Sequence, residues 1–260
     1  MIQALPVVVG GLAYARRVRT LHRRGRAPAI GTQAWFWAGI VVLLVALLSP
    51  IDRIGENDLF WVHMVQHLML GDVAPLLIVL GLSGALLQPL LAAPGIGRLR
   101  VLAHPAVALP LWAVDLYLWH LAGPYQAALR HDALHALEHV LFFSTGALMW
   151  AAVVGPLPAP AWFGAGWKAA YTLVVRVLGM ALASVFIWAA HSFYPWYGNG
   201  VWDQRTGGLI MFTEGGIVTL IVFGFAFIAW MDEAPARRGL RHPARARSAP
   251  SPGARGRFGA

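Results

Sequence analysis

The chain has 260 residues, of which 58% are hydrophobic and only 12% are charged, and its formal net charge is +9. Soluble domains have about a quarter of their residues charged. Here the apolar residues form long blocks, which is typical of a polytopic membrane protein and excludes an ordinary soluble fold. The absence of cysteine excludes disulfides, iron–sulfur clusters and thiolate metal sites.

The apolar blocks predict an all-α membrane bundle of about seven transmembrane helices, because about 20 apolar residues are needed to cross the hydrocarbon core. In chain order the predicted spans are approximately 2–16, 33–50, 58–81, 101–121, 133–155, 169–190 and 208–231. Residues 1–231 are thus expected to form one transmembrane domain. Residues 232–260 are rich in Arg, Pro, Ala and Gly and are expected to form a disordered basic tail.

The basic residues predict the orientation of the bundle. Sixteen Lys and Arg residues lie in segments on one predicted side, and three, Arg53, Arg130 and Arg205, lie on the other. The positive-inside rule makes the first side cytoplasmic, with the N-terminus outside and the C-terminus inside. Because the arginines flank apolar blocks and form no nucleic-acid-binding motif, they predict contact with the lipid bilayer and no nucleic-acid partner.

Seven of the ten histidines fall at the outer side of this topology. His63 and His67 share one helix face, and so do His131, His135 and His139, because residues four apart stack along a helix. The set is completed by two residues at the ends of spans, His120 and His191. Three acids lie in the outer half of the membrane, and at 1.5 Å per residue they reach a depth of about 8–14 Å, as His67 and His139 do. These acids are Asp115, Glu138 and Glu214.

Clustered imidazoles and carboxylates predict an outward-facing metal site. Such ligands suit zinc, copper, iron or nickel, and Met64 beside them would favour Cu(I). Intramembrane acids indicate function by default, and Glu138 can either bind a metal or orient a ligating imidazole. Simpler interpretations remain for single residues: interfacial placement for His120 and His191, and packing for Asp115, Glu214 and Met64. His131 lies at the membrane boundary, where it could receive or guide an ion without being a ligand.

The residues alone leave three functions open. The first is a membrane chaperone that holds copper on its outer face and gives it to a partner. The second is a zinc-dependent membrane hydrolase, with three histidines, an acid and an activated water. The third is a haem-binding electron carrier, which is disfavoured because no histidine pair lies deep in the inner leaflet.

Three stretches of the chain resemble the CtaG family of cytochrome c oxidase assembly factors. They are HMVQHLML at 63–70, LWHLAGPYQAALRHDALHALEHVLFF at 118–143 and YGNGVWDQRTGGLIMFTEGG at 197–216. The resemblance implies a multi-pass protein of the bacterial inner membrane that matures a haem–copper oxidase. It further implies oxidase subunits as partners and copper as the bound ion, with zinc as the alternative, whereas homo-oligomerisation stays open. By this resemblance the functional residues are His63, His67, His120, His135, Glu138, His139, Asp203 and Glu214.

Overall fold

The computed structural model describes residues 4–93, 100–155 and 159–241, and these residues form helices and connecting segments with no β-strand. The predicted all-α class is therefore confirmed. The helices are α1 (Ala4–Arg23), α2 (Ile30–Leu48), α3 (Pro50–Asn57), α4 (Phe60–Leu68), α5 (Ala74–Leu80), α6 (Gly84–Ala92), α7 (Pro105–Trp119), α8 (Ala122–Arg130), α9 (Asp132–Val154), α10 (Ala165–Trp188) and α11 (Gly200–Arg241).

Five segments are long and apolar enough to cross a membrane, and a sixth is added if the bent pair α7 and α8 counts as one span. The five segments are Ile30–Leu48, Phe60–Leu80, Asp132–Val154, Ala165–Trp188 and Gly200–Met231. Helix α1 forms as predicted but is not among the helices that are long and apolar enough to cross a membrane, so seven spans are not confirmed. Helix α11 continues beyond Met231 to Arg241, and the rest of the predicted tail lies outside the described residues.

The span that begins at Phe60 contains a π-helical segment, Met69–Val73, between α4 and α5. Proline at position 75 lacks a backbone N–H and so cannot bond to the carbonyl of Gly71, and an irregular turn accommodates that loss. Gly146 of α9 packs directly on this Gly71 carbonyl oxygen, and the contact leaves no room for a Cβ atom at position 146. The irregular turn thus lies in close contact with α9.

The span that begins at Pro105 breaks at its C-terminal end, where α7 stops at Trp119 and α8 continues at an angle of 72°. His120 lies at this break as the residue that caps α7. Its Nδ1 is 2.7 Å from the carbonyl oxygen of Leu116, one of the carbonyls that a helix end leaves without a partner. The break therefore fixes both the position and the ring orientation of His120.

Two segments outside the spans close over one end of the bundle. Helix α3 is a short helix capped by Ser49, whose hydroxyl accepts a hydrogen bond from the backbone N–H of Ile51. The connection between α10 and α11 contacts it, because Trp196 donates to the carbonyl oxygen of Glu56 at 2.8 Å and Asn199 donates to that of Asp58 at 2.7 Å. Side chains from these two segments complete the site described next.

Candidate metal centre

Four histidines from two helices meet inside the end of the bundle that these two segments cover. His63 and His67 come from α4, and His135 and His139 come from α9. One ring nitrogen from each lies within 4.8 Å of the others, and all four side chains are buried. We call these four residues the histidine cluster. Their convergence follows from the four-residue spacing on each helix, which places both pairs on inward faces.

The rings are arranged as two pairs. The ring centroids of His63 and His67 are 4.2 Å apart, and those of His135 and His139 are 4.1 Å apart. Across the helices, His63 is 5.3 Å from His135, and His67 is 6.1 Å from His139. Ligand nitrogens lie about 2.0–2.1 Å from a bound zinc ion, which places them about 3.3 Å apart in a tetrahedron. Small side-chain movements would therefore bring the four nitrogens to one ion.

Two tyrosines orient His63. The Tyr197 hydroxyl donates to the Gly55 carbonyl oxygen at 2.8 Å, and its own oxygen lies 3.0 Å from Nδ1 of His63. Tyr125 is 2.9 Å from the same hydroxyl. Burial raises the pKa of Tyr197 above its usual value, so this hydroxyl remains protonated and able to donate. Because Nδ1 of His63 then donates to oxygen, its Nε2 carries the lone pair that faces the cluster.

Glu56 contacts the cluster from α3, which lies outside the spans. Its carboxylate oxygen lies 2.6 Å from Nδ1 of His135, and its side chain is 34% exposed whereas that of His135 is 4% exposed. The sequence analysis did not include Glu56 in the site. The feature that could have indicated it is the pair of acids Asp52 and Glu56, which are four residues apart in a segment predicted to lie outside the membrane. Burial raises the pKa of Asp52, whereas the hydrogen bond from Gln66 acts in the opposite direction.

Glu138 lies beside the histidine cluster but is not one of the four converging residues. Its Oε1 is 3.6 Å from Nε2 of His67, and the side chain is fully buried. Within the described part of the chain neither carboxylate oxygen has a hydrogen-bond partner. A buried acceptor without a donor is costly, and a protonated imidazole or a metal ion nearby would offset that cost.

His120 and Met64 lie next to the cluster. The ring of His120 is 5.9 Å from that of His67, and both residues line a cavity together with Met64. His120 therefore joins the site from α7, although it is not one of the four converging residues. Met64 is completely buried, which is compatible with the packing interpretation and leaves its thioether beside the cavity.

The remaining predicted residues lie elsewhere. Asp115 accepts a hydrogen bond from the Thr145 hydroxyl at 2.8 Å and so joins α7 to α9. Asp203 accepts hydrogen bonds from the backbone N–H groups of Phe60 and Trp61 at 2.9 and 3.0 Å. A side chain that caps a helix in this way is worth about 1 kcal/mol. The structure thus gives both acids contacts that hold helices in place.

Three further predicted residues are not brought into the cluster. His131 precedes α9 and is exposed, as is His191 in the connection after α10. The Glu214 carboxylate is buried on α11, near Asp72 of the π-helical segment. The expectation that Glu214 closes the same metal site is therefore not met by the geometry.

Comparison with known proteins agrees with the resemblance inferred above. Residues 12–233 match the family model described as cytochrome c oxidase caa3 assembly factor. Uncharacterized proteins of Mycobacterium bovis and Mycobacterium tuberculosis are each 26% identical over 262 residues, with 90% of this chain and 40% of the relative covered. One from Mycobacterium leprae is 25% identical over 264 residues with the same coverage. The chain thus spans about 40% of the length of these relatives. No solved structure matches it.

Proposed function

Because the chain belongs to the cytochrome c oxidase caa3 assembly factor family, we propose that it is a membrane assembly factor that binds copper at the histidine cluster and delivers it to the oxidase. The observation that carries the proposal is the convergence of His63, His67, His135 and His139 within 4.8 Å. Neutral imidazoles suit copper and zinc. The family role favours copper as the cargo.

The size of the cavity beside the cluster supports a binding role over a catalytic one. The cavity beside the cluster has a volume of about 70 Å³, whereas pockets that hold organic ligands usually measure about 300–1,000 Å³. That cavity suits an ion and a few water molecules, not a lipid substrate or a haem. A zinc hydrolase is the alternative. Its signature would be turnover of a membrane lipid amide or ester that depends on Glu138.

The proposed delivery requires the cluster to face the outside of the cell. Six alternating spans, starting from the basic segment after α1, would place the cluster at the outer side and the C-terminus in the cytoplasm. The sixteen-to-three division of basic residues supports this orientation. A reporter fused after Ala260 should be active in the cytoplasm, and one inserted at Asn199 should report from outside. The opposite result would exclude outward delivery.

The function is tested by the copper content of the oxidase. Cells that lack the protein should assemble oxidase subunits that contain less copper, and the wild-type chain should restore the copper, whereas a chain with His63→Ala and His139→Ala should not. A chain with His131→Ala and His191→Ala changes two exposed histidines on the same side and should restore it. Normal oxidase copper in cells without the protein, together with lipid turnover by the purified chain, would overturn the proposal in favour of the hydrolase.

A further inference from the structure

A cavity continues from the histidine cluster toward the middle of the bundle. It has a volume of about 70 Å³, and the residues that line it include His67, His120, Met64 and Met211. We call it the inner cavity. A cavity of this size has room for a few water molecules or an ion. Of the two histidines that line it, His67 belongs to the histidine cluster and His120 does not.

His120 presents a free lone pair to this cavity. Its Nδ1 lies 2.7 Å from the Leu116 carbonyl oxygen, which can only accept, so Nδ1 must carry the hydrogen. In the neutral ring, Nε2 is then an acceptor. The side chain is 7% exposed, and Nε2 is buried with no hydrogen-bond partner among the described residues. Metal-binding histidines have this arrangement, with one nitrogen held by a carbonyl and the other available.

His67 presents a second lone pair. Its Nε2 is 2.7 Å from Nε2 of His63, and His63 already carries its hydrogen on the nitrogen that faces Tyr197. His67 must therefore donate from Nε2, which leaves Nδ1 as an acceptor. That atom is buried and, in the part of the chain described, lacks a hydrogen-bond partner. The side chain is 5% exposed.

Two buried acceptors on one small cavity need a donor or a cation between them, since leaving both unsatisfied is costly. The same cavity is lined by the side chains of Met64 and Met211, which are 0% and 9% exposed. Thioethers and imidazoles together make a soft ligand set. Such a set selects Cu(I) over zinc and over hard cations that prefer oxygen.

We propose that His67, His120, Met64 and Met211 form a second, Cu(I)-selective site in the inner cavity. The inference rests on the proposed function only in that copper is the cargo. A neutral imidazole offers one lone pair at a time. His67 therefore serves either the cluster through Nε2 or the cavity through Nδ1. When His67 binds an ion in the inner cavity, His63, His135 and His139 remain to hold another ion in the histidine cluster.

The test counts ions on the purified full-length chain in detergent. Under anaerobic, reducing conditions, titration against a chromophoric Cu(I) chelator should give two equivalents of tightly held Cu(I). Titration with Zn²⁺ should give one. His120→Ala should lose one equivalent of Cu(I) and keep the full zinc equivalent. A His120→Ala chain that still holds two equivalents of Cu(I) would overturn the second site.

The outcomes also separate this inference from the proposed function. Wild-type chain that binds a single Cu(I), lost in His63→Ala and retained in His120→Ala, would leave the proposed function standing and overturn the inner site. Wild-type chain that binds no Cu(I) at all would overturn both. Partial zinc loss in His120→Ala would also count against the inference, because the two sites would then be one.

A second measurement covers the case in which His120→Ala does not fold. X-ray absorption of the Cu(I)-loaded wild-type chain should show sulfur neighbours of copper. A chain with Met64→Leu and Met211→Leu keeps the side-chain size and should lose the sulfur signal together with one equivalent of Cu(I). Met180→Leu and Met231→Leu on α10 and α11 form the matched control and should change neither. Only nitrogen neighbours in the wild-type chain would overturn the proposal.

Discussion

The histidine cluster and the Asp72–Glu214 pair are both buried polar groups within the spans, but they are connected to the rest of the chain differently. The cluster is bonded to segments outside the spans, since Glu56 contacts His135 and Tyr197 contacts His63. The carboxylate oxygens of Glu214 have no hydrogen-bond partner among the residues described. If the chain binds an ion as proposed, this difference predicts that the ion enters at the cluster and not at the acid pair.

The largest expected effect is the loss of the cluster itself. His63→Ala removes a ligand and leaves the Tyr197 hydroxyl without the ring that it contacts, and we expect the equivalent of Zn²⁺ bound by the purified chain to disappear. Isothermal titration calorimetry measures this directly. His131→Ala and His191→Ala are the matched controls, because they remove exposed histidines from the same end of the bundle. Equal losses of bound Zn²⁺ in all three variants would show that zinc binding does not depend on membership of the histidine cluster.

This contrast between histidines also shows how far the sequence was informative. Four-residue spacing predicted that the pairs 63/67 and 135/139 would each share a helix face, and the packing of α9 against the π-helical segment and α5, which continue the span of α4, brings the two faces together. The same spacing included His131, which lies one turn before His135 and is exposed because α9 begins only at Asp132. Periodicity gives the face of a helix, but the depth at which the helix begins decides which residues are buried.

The missing parts of the prediction have a common physical cause. Glu56 lies in the short helix α3 outside the spans and Tyr197 lies in the connection between α10 and α11, and their contacts with His135 and His63 span 79 and 134 residues of chain. The predicted fourth span ended at about 121, close to the break after Trp119, but helix α8 beyond the break was not predicted. Gly123–Pro124 disfavours a straight continuation of α7. Contacts of this kind depend on tertiary packing, which a single sequence does not specify.

The next effect in size concerns the orientation of a ligand. Tyr197→Phe removes the hydroxyl that accepts from Nδ1 of His63, and loss of such a supporting partner typically weakens metal binding about 10- to 100-fold. We expect at least about 10-fold weaker Zn²⁺ binding with unchanged stoichiometry. Tyr14→Phe is the control, because it removes a buried hydrogen bond to the Gly81 carbonyl far from the cluster. The prediction fails if both variants bind zinc as the wild-type chain does.

A smaller effect is expected at the entrance. Glu56→Gln removes the half-buried charge that contacts His135 and should slow metal association several-fold, while the dissociation rate changes less, because charges at the rim of a site act mainly on association. Stopped-flow mixing of the purified chain with Zn²⁺ at low salt gives the rates. Asp58→Asn removes an exposed acid two residues away and should change the rate little. A dissociation rate that rises as much as association falls would make Glu56 a ligand and not an entry residue.

The smallest effect tests the comparison from its inner side. Glu138 and Glu214 are both buried carboxylates without hydrogen-bond partners in the described chain, and they differ in their neighbours, since Glu138 lies 3.6 Å from His67 and Glu214 lies near Asp72. Glu214→Gln keeps the shape and removes the charge. It should leave the zinc stoichiometry unchanged and its affinity within about 2-fold, because charges at distant, independent sites contribute separately. Glu138→Gln, the same change beside the cluster, should weaken zinc binding about 10-fold. If calorimetry shows Glu214→Gln to be the weaker binder, then the acid pair belongs to the metal path, and the distinction between the two regions is wrong.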